Sequence, residues 1–379
     1  MKESIEYNNL KKLMISCGGT GGHFYPGLSI AREFKKHGGD VLFCLSGKER
    51  LRQAEIVSNF GFESFTFDAP RLPRSPWEAI TFFPKVLKAV FQIKKEMKKY
   101  RPNAVLSMGS FTSFPAALSA GMLKIPLFLH DGNARVGRAN RFISRWCRCL
   151  STAFPAVNAD RCHCEVFCTG MPLRPELLFE KLPRGKAIAG FNEKYECKFK
   201  SDIPIVLIVG GSLGAASLND VFPRACLDIP KDSLQIIHLT GEGKLDQVMQ
   251  VYNETAVNFR AIASSPDMHL FFQAADVVIC RSGGSTVAEL GLFGKYALLI
   301  PYPFAAERHQ DDNARFLTAA GGGEILFDND CSHETALEFL RKVIDDPETY
   351  RAKGAASLAT AKPNAASDLL KLIDTQLAG

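Results

Sequence analysis

The chain has 379 residues, of which 46% are hydrophobic and 23% are charged, with eleven cysteines and a formal net charge of +6. This length favours two domains of ordinary size, and the composition is that of a globular protein. No apolar run reaches the roughly 18 residues that a membrane-spanning helix requires, and the first dozen residues lack the apolar core of a secretory signal. We therefore expect a cytoplasmic protein whose cysteines stay reduced.

The charge is unevenly distributed along the chain. Residues 1–174 contain 26 Lys and Arg against 13 Asp and Glu, whereas the remainder contains 20 against 27, so the two parts carry net charges of +13 and −7. Such an asymmetry indicates that the first part meets an anionic surface, which leaves phosphorylated substrates, anionic lipid and nucleic acid as candidates. We expect no nucleic-acid partner, because the sequence shows no basic sheet interleaved with aromatic residues and no recognised nucleic-acid-binding fold.

Short apolar runs alternate with helical patterns from one end of the chain to the other. The predicted strands are residues 13–17, 41–45, 104–108, 126–130, 205–209, 236–239, 277–280 and 297–300. A helix is predicted from about residue 26 to residue 37. Strands that alternate with helices build parallel sheets, and the two series of strands predict an α/β fold with two Rossmann-like domains. The boundary is expected within residues 172–204, which are rich in charge, Gly and Pro.

Three glycine-rich turns each stand between a predicted strand and a helix. They are CGGTGGH at 17–23, GGSLG at 210–214 and RSGGSTVAE at 281–289. Glycine lets the backbone approach a ligand closely, and the N-terminus of the following helix attracts an anion. The first turn does not match the G-x-x-x-x-G-K-[ST] pattern of an ATP-type P-loop. Because ligands bind at the carboxyl ends of parallel strands, the three turns together predict a nucleotide site, although each alone could be a structural turn.

Three side chains in these turns are candidates for chemistry. His23 is suited to act as a general base, Ser212 to contact a phosphate, and Glu289 to accept hydrogen bonds from ribose hydroxyls. Each has a structural alternative. His23 and Ser212 could cap their helices, and Glu289 could complement the helix dipole.

Seven segments together resemble a known family. They are GGTGGHFYPGL at 18–28, MGSFTSFPAAL at 108–118, HDGN at 130–133, TGMPLRPELL at 169–178, GGSLGAASLN at 210–219, ADVVICRSGGSTVAEL at 275–290 and RHQDDNA at 308–314. Their order and spacing are similar to those of the MurG-type transferases of glycosyltransferase family 28. The resemblance implies the GT-B fold, with two Rossmann-like domains (residues 1–175 and 176–361) facing a deep cleft. It also implies that a C-terminal helix, about 362–379, packs back on the first domain.

The implied activity is the transfer of N-acetylglucosamine from UDP-GlcNAc to undecaprenyl-pyrophosphoryl-N-acetylmuramoyl-pentapeptide, with inversion at the anomeric carbon, in peptidoglycan synthesis. The resemblance makes His23 and Asp131 the catalytic residues. The residues that it places against UDP-GlcNAc are Thr20, Gly21, Gly22, Asn133, Arg174, Ser212, Ser265, Gly284, Ser285, Thr286, Val287, Ala288, Glu289 and Gln310. Within this set, Ser265 would read uracil through its backbone, Arg174 would meet a phosphate, and Gln310 would hold GlcNAc hydroxyls.

No metal or other cofactor is expected, because helix N-termini and one arginine can stabilise a leaving diphosphate. The Asp328-Asn329-Asp330 motif is interpreted as a turn. The cluster Cys162-His163-Cys164 with Cys168 is interpreted as reduced thiols on a strand. Metal binding is the alternative at both places.

The sequence departs from the family pattern in four segments of the expected cleft. HDGN at 130–133 replaces the usual His-Glu-Gln-Asn, and Gly109-Ser110-Phe111 replaces the usual Gly-Gly-Tyr. Gly170-Met171-Pro172 stands for Gly-Asn-Pro, and GSLG at 211–214 stands for Gly-Ser-Gln-Gly. Each change removes or shortens a polar group. Two alternatives therefore remain: a family 28 enzyme with a diacylglycerol acceptor, and a protein that binds UDP-sugar without turnover.

A lipid acceptor implies contact with a membrane, and two basic segments agree with this. Residues 77–100 predict an amphipathic helix with Phe82, Phe83, Leu87 and Phe91 among six lysines. Further on, the spacing of five arginines predicts a stripe along one side of a helix, formed by Arg135, Arg138, Arg141, Arg145 and Arg148. A solvated helix face is the alternative for both. We expect a peripheral protein on the cytoplasmic face of the inner membrane, bound to anionic lipid.

Overall fold

The computed structural model describes residues 6–19, 21–69, 75–109, 111–178, 181–211 and 214–379, with the backbone alone at 76–80 and 112. The chain divides into two compact units. One consists of Met1–Arg174 together with Pro363–Gly379, and the other of Pro175–Lys362.

The first unit is built on a parallel sheet that has seven strands in the described residues, in the order β3-β2-β1-β4-β5-β6-β7. The strands are β1 Lys12–Gly18, β2 Asp40–Ser46, β3 Glu63–Thr66, β4 Ala104–Ser107, β5 Leu127–Asp131, β6 Cys149–Thr152 and β7 Glu165–Cys168. The strand order changes direction between β1 and β4. Open α/β sheets bind ligands at such a switch point, beyond the carboxyl ends of the strands.

Helices cover both faces of this sheet. They are α1 Gly21–Lys36, α2 Arg50–Asn59, α3 Pro76–Tyr100, α4 Phe114–Leu123 and α5 Arg138–Ile143. Helix α1 starts about five residues earlier than the sequence predicts, because Phe24 already lies in the core with 1% of its surface exposed. Leu28, Ala31 and Phe34 continue the same buried face. Gly21, Gly22 and His23 consequently form the first helical turn rather than part of the preceding loop.

The predicted arginine stripe is wrong as a helical feature. Helix α5 contains only Arg138 and Arg141, while Arg145 lies in a short 3-10 helix, Ser144–Trp146. Arg135 precedes the helix and Arg148 follows it. The helix is short because the chain must re-enter the sheet as β6 at Cys149, which leaves few residues for it.

The second unit contains a second parallel sheet, with six strands among the described residues in the order β10-β9-β8-β11-β12-β13. They are β8 Ile205–Val209, β9 Gln235–Leu239, β10 Asn258–Ile262, β11 Val277–Cys280, β12 Tyr296–Leu299 and β13 Gly323–Ile325. The helices are α6 Arg184–Tyr195, α7 Ala216–Ala225, α8 Leu245–Tyr252, α9 Met268–Ala274, α10 Gly284–Phe293, α11 His309–Ala319, α12 His333–Asp345 and α13 Pro347–Gly354. The switch point lies between β8 and β11. The prediction of two Rossmann-like α/β domains is confirmed.

A buried carboxylate holds the amino-terminal edge of the second sheet together. Asp276, just before β11, accepts hydrogen bonds from Nε and Nη2 of Arg184 at 2.6 and 2.7 Å and from Nε of Arg351 at 2.7 Å. It also accepts one from the backbone N–H of Ile205 at 2.7 Å. Burial alone would raise the pKa of Asp276, but the hydrogen bonds from Arg184 and Arg351 outweigh it and lower that pKa. Asp276 thereby links α6, α13 and the start of β8.

The last helix, α14 Ala365–Ala378, belongs to the first unit, where it packs against α1. Leu369, Leu370 and Ile373 are buried in the same core as β1 and α1. The carboxylate of Asp374 accepts hydrogen bonds from the backbone N–H groups of residues 8, 9 and 10 at 2.7–3.2 Å. The segment ahead of β1 is therefore fastened to the end of the chain.

Candidate functional site

The first glycine turn connects β1 to α1 at the switch point of the first sheet. A Cβ atom at Gly18 would lie 2.2 Å from the carbonyl oxygen of Ser46, and Gly19 has a φ of +82°. Both positions therefore require glycine. Thr20 lies outside the described residues. Gly21 and Gly22 open helix α1, so that the turn presents the helix N-terminus at the carboxyl edge of the sheet.

His23 lies in the first turn of α1 and is held by the backbone of the neighbouring strand. Its Nδ1 is 2.9 Å from the carbonyl oxygen of Met108, which follows β4. Because a carbonyl only accepts hydrogen bonds, this contact places the proton on Nδ1 and leaves Nε2 as the basic nitrogen. Gly109 lies directly beside the ring, since a Cβ there would make van der Waals contact with Cε1 of His23 at 3.5 Å. The contact with Met108 thus fixes the orientation of the imidazole and leaves Nε2 able to accept a proton.

A second histidine, His130 at the end of β5, is buried close to His23. Its Nδ1 is 3.2 Å from the Ser151 hydroxyl oxygen, and its Nε2 has no hydrogen-bond partner among the described residues. Burial, reinforced by the nearby His23, lowers the pKa of His130 to about 3. His130 is therefore neutral at physiological pH. No role was predicted for His130, although its place in the HDGN segment was a signal.

Asp131, the last residue of β5, accepts hydrogen bonds from several residues that follow it. Its Oδ1 accepts from the backbone N–H and the side-chain amide of Asn133, both at 3.2 Å. Its Oδ2 accepts from the backbone N–H of Gly137 and from Nδ2 of Asn140, both at 2.9 Å. Both carboxylate oxygens are thus engaged in orienting Asn133 and the start of α5. This geometry supports a positioning role, and direct participation of Asp131 in catalysis stays a prediction.

Two of the departures from the family pattern meet in space. A Cβ atom at Gly132 would lie 2.9 Å from Cε of Met171, whose side chain is buried. Met171 therefore fills the space that a side chain at position 132 would need, and the two replacements are complementary. Arg174 stands nearby in sequence, with its guanidinium carbon 5.4 Å from the centre of the Tyr25 ring on α1. Ser110, in a third departure, lies outside the described residues.

The second glycine turn joins β8 to α7. A Cβ atom at Gly214 would lie 1.9 Å from the carbonyl oxygen of Thr240, and Gly211 has a φ of +84°. Ser212 lies outside the described residues. Beneath the turn, Asn219 of α7 donates to the Thr240 carbonyl oxygen at 2.8 Å and its Oδ1 lies 3.1 Å from Nε2 of His238. Burial lowers the pKa of His238 to about 3, so the imidazole beneath the turn is uncharged at neutral pH.

The third turn joins β11 to α10 and is hydrogen-bonded to the first two turns of α11. The Ser282 hydroxyl donates to the backbone oxygen of Gln310 at 2.8 Å. Nδ2 of Asn313 donates to the Ser282 carbonyl oxygen at 3.0 Å. The side-chain oxygen of Gln310 accepts from the backbone N–H of Tyr302 at 2.9 Å. The start of α11 is therefore placed against the third turn, ahead of the N-terminus of α10.

The predicted nucleotide residues of α10 occupy its first two turns. Gly284, Ser285 and Thr286 begin the helix, while the Val287 side chain is buried in the core. The Val287 backbone N–H donates to the carbonyl oxygen of Gly283, so this N–H is occupied by a hydrogen bond at the start of the helix. Ala288 lies in the same turn. Glu289 is buried, with 9% of its surface exposed.

Ser265 lies in the loop between β10 and α9, where α6 holds it. The Tyr195 hydroxyl oxygen is 2.7 Å from the Ser265 hydroxyl oxygen and donates to the Asp267 carboxylate at 2.9 Å. Lys194 pairs with the same carboxylate at 2.8 Å. Burial would raise the pKa of Asp267, but the hydrogen bonds from Lys194 and Tyr195 lower it. Lys194 and Tyr195 were not predicted to belong to the site, because they come from α6, with Tyr195 lying 70 residues before Ser265.

No group of three or more His, Cys, Asp or Glu side chains in the described part of the chain is arranged to hold a metal ion. Cys162 and Cys164 precede β7 and Cys168 ends it, and all three are half-buried thiols. Residues Asp328–Asp330 form a 3-10 helix, as the predicted turn implies. The metal alternatives at both motifs gain no support from this geometry.

The predicted site residues fall at the carboxyl edges of the two sheets. The structure brings His23, Asp131 and Asn133 to the edge of the first sheet. It brings the second and third glycine turns and Gln310 to the edge of the second, with Ser265 after β10. These are the positions at which α/β sheets bind nucleotides.

Comparison with known proteins identifies the family. Residues 13–152 match the glycosyltransferase family 28 N-terminal domain, and residues 205–369 match the family 28 C-terminal domain. The chain is 30% identical over 373 residues to the UDP-N-acetylglucosamine--N-acetylmuramyl-(pentapeptide) pyrophosphoryl-undecaprenol N-acetylglucosamine transferase of Desulfitobacterium hafniense, covering 96% of this chain and 99% of that protein. It is 32% identical over 374 residues to a protein of the same name from Burkholderia ambifaria, covering 96% of each.

Solved structures agree with the sequence comparison. Acinetobacter baumannii MurG superposes with a TM-score of 0.77 at 26% identity, covering 96% of this chain and 99% of that one. A UDP-GlcNAc 2-epimerase from Neisseria meningitidis, at 15% identity and a TM-score of 0.66, shares the fold alone. The chain belongs to glycosyltransferase family 28.

Proposed function

We propose that this protein transfers N-acetylglucosamine from UDP-GlcNAc to undecaprenyl-pyrophosphoryl-N-acetylmuramoyl-pentapeptide, the step that completes the lipid-linked peptidoglycan precursor. The observation that carries the proposal is similarity at 30–32% identity over 96% of the chain to transferases named for this reaction. The proposal is supported by the described parts of the glycine turns, His23 and Gln310, which lie at the carboxyl edges of the two sheets.

The chemistry assigns a role to each part of this arrangement. Nε2 of His23 takes the proton from the acceptor hydroxyl as that oxygen attacks the anomeric carbon, and a single displacement inverts the configuration there. The N-termini of α7 and α10 face the carboxyl edge of the second sheet, where they stabilise the negative charge that develops on the leaving UDP. Asn133, Glu289 and Gln310 bind sugar hydroxyls. We expect this stabilisation to need no metal.

The acceptor is tested by radiolabel transfer from UDP-GlcNAc to three acceptors in parallel: a synthetic lipid-linked muramoyl-pentapeptide, diacylglycerol, and buffer alone. We expect label in the muramoyl lipid only. Transfer to diacylglycerol would instead identify a different family 28 activity. UDP binding by calorimetry with no transfer to either lipid would identify a binding protein without turnover.

We also propose that the first unit docks on an anionic membrane surface on the cytoplasmic side of the inner membrane. None of the helices in the described ranges is long and apolar enough to cross a bilayer. One face of α3 packs in the core, but Phe83, Leu87 and Phe91, spaced four residues apart, are 67%, 54% and 67% exposed. Three large apolar side chains in one exposed row favour burial in a lipid interface.

A continuous aromatic surface extends this row toward α5. Ring centres 5.2–6.1 Å apart connect Phe83, Phe82, Phe111, Phe114, Phe142 and Trp146 in that order. Exposed cations lie close to these residues in the sequence, at Lys85, Lys88, Lys95, Arg145 and Arg148, and Arg145 stacks over the Phe142 ring. Aromatic rings bordered by Lys and Arg match the apolar and anionic layers of a membrane surface. We call the set from Phe83 to Trp146, with Leu87 and Phe91, the docking surface.

Replacing Leu87 and Phe91 together with serine should lower binding to phosphatidylglycerol vesicles at least about tenfold, because two apolar side chains lose their burial. Co-sedimentation measures the binding, and added salt should weaken wild-type binding further by screening the lysines. The control is Leu227→Ser, which alters an exposed leucine of the second unit. Equal vesicle binding by the double variant and the wild type would remove the docking surface from this role.

A further inference from the structure

Arg281 follows β11 directly, at the switch point of the second sheet, and its side chain is 11% exposed. An arginine at this position, beside the second and third glycine turns, would ordinarily be expected to bind the diphosphate. Its guanidinium group instead turns to protein acceptors. Nη1 donates to the carbonyl oxygens of Ile300 and Pro301 at 3.1 and 3.3 Å, and Nη2 donates to the Ser217 hydroxyl oxygen at 2.9 Å.

A carboxylate completes this arrangement. Oδ1 of Asp328 lies 2.5 Å from Nη1 of Arg281 and accepts a hydrogen bond from the Ser217 hydroxyl at 2.7 Å. Arg281, Asp328 and Ser217 therefore form a closed triangle of contacts. We call these three residues the triad. The Asp328 side chain is 21% exposed, so the pair is only weakly screened by solvent.

The triad connects the segments that contain the second and third glycine turns. Ser217 lies in the first turn of α7, directly after the second glycine turn, and Arg281 begins the third. Asp328 arrives from the chain beyond β13, and Ile300 and Pro301 belong to the exit of β12. The three side chains thus connect segments that are far apart in the sequence.

We propose that Asp328 is a positioning residue for the sugar nucleotide, acting through Arg281 and Ser217 to hold the N-terminus of α7 in place for the diphosphate. The inference rests on the proposed function only in taking the second glycine turn as a diphosphate site. The proposal also explains Asp328 of the Asp-x-Asp motif as the ion-pair partner of Arg281, because Oδ1 of Asp328 already contacts Arg281 and Ser217.

The test compares Asp328→Asn with Asp330→Asn, which alters the other, exposed carboxylate of the same motif. Asparagine keeps the size of Asp328 and removes its charge. Loss of one charge-assisted contact should raise the KM for UDP-GlcNAc and the Kd for UDP about tenfold. The kcat should change little, because the lost interaction serves the ground state and the transition state alike. Asp330→Asn should match the wild type in KM, Kd and kcat.

Further measurements separate positioning from other roles. Asp328→Glu should recover part of the UDP affinity, and Ser217→Ala should raise the Kd in the same direction as Asp328→Asn. An unchanged Kd in Asp328→Asn, or equal losses in both asparagine variants together with inhibition by EDTA, would overturn the proposal. Because UDP binding by calorimetry needs no acceptor, a wild type that binds UDP without transfer would refute the proposed function and still leave this comparison intact.

Discussion

Replacing His23 with alanine should lower kcat for GlcNAc transfer about 10²- to 10⁴-fold, the range over which a positioned general base accelerates a reaction. The Kd for UDP should stay close to the wild-type value, because the first turn of α1 keeps its glycines. The reason lies in the contact between Nδ1 of His23 and the Met108 carbonyl oxygen at 2.9 Å. This contact fixes the tautomer in which Nε2 is basic. Single-turnover transfer and calorimetry measure the two quantities.

The control for this substitution is His333→Ala. His333 is 39% exposed in its side chain and pairs with Asp228 in the second unit, away from the glycine turns in sequence. It should retain wild-type transfer and wild-type UDP affinity. Normal turnover by His23→Ala would remove His23 from the mechanism.

Replacing Asp276 with alanine should lower the free energy of unfolding by about 3–5 kcal/mol, the usual cost of leaving buried charges without their partner. Arg184 and Arg351 would then face each other's charge, and the backbone N–H of Ile205 would lose its acceptor. Lys295 adds to the effect, since it is buried close by and burial lowers its pKa to about 8. Urea unfolding measures the change.

The control for Asp276→Ala uses the other partner of Arg351. Glu348 pairs with the same guanidinium group but is 78% exposed, so Glu348→Ala should cost less than about 1 kcal/mol. Equal stability losses in the two variants would contradict the importance of burial at Asp276.

The acid dependence of stability follows from the same carboxylate. The pKa of Asp276 in the folded protein is below its ordinary value of 3.8. Its contribution to stability is therefore complete above the ordinary value and is lost as the pH falls through the lowered folded pKa. The stabilities of the wild type and of Asp276→Ala should accordingly converge in strong acid and differ fully near neutral pH.

The sequence predicts the central strands best. Strands β8 and β11 were predicted to the residue, because parallel strands buried on both faces read as unbroken apolar runs. β3, β6, β7, β10 and β13 were not among the predicted strands. All of these except β6 stand at the edges of their sheets, and β3 and β10 mix polar with half-buried residues, as in Glu63–Thr66 and Asn258–Ile262. The spacing of the arginines wrongly predicted one continuous helix, because a helical period in the sequence does not show where the helix ends.

The glycine turns could be placed from the sequence because their chemistry is local. The contacts between distant residues could not. Nothing in HDGN indicates that Met171, 39 residues later, fills the space beside Gly132. Likewise, Asp328 and Arg281 are separated by 47 residues, and only the fold shows that the Asp-x-Asp motif meets an arginine. Side-chain complementarity of this kind depends on tertiary packing, which short motifs do not encode.

The fastening of α14 to the start of the chain has a consequence for the order of events on the ribosome. Pro175–Lys362 is an unbroken stretch, so the second unit has all its residues as soon as Lys362 emerges. The first unit, although synthesised earlier, still lacks Leu369, Leu370 and Ile373 from its core and Asp374 from its N-terminal segment. Domains of nascent chains generally fold in the order of synthesis. Here the unit made first is the one completed last, so a stalled chain would display unfilled core surface beside α1.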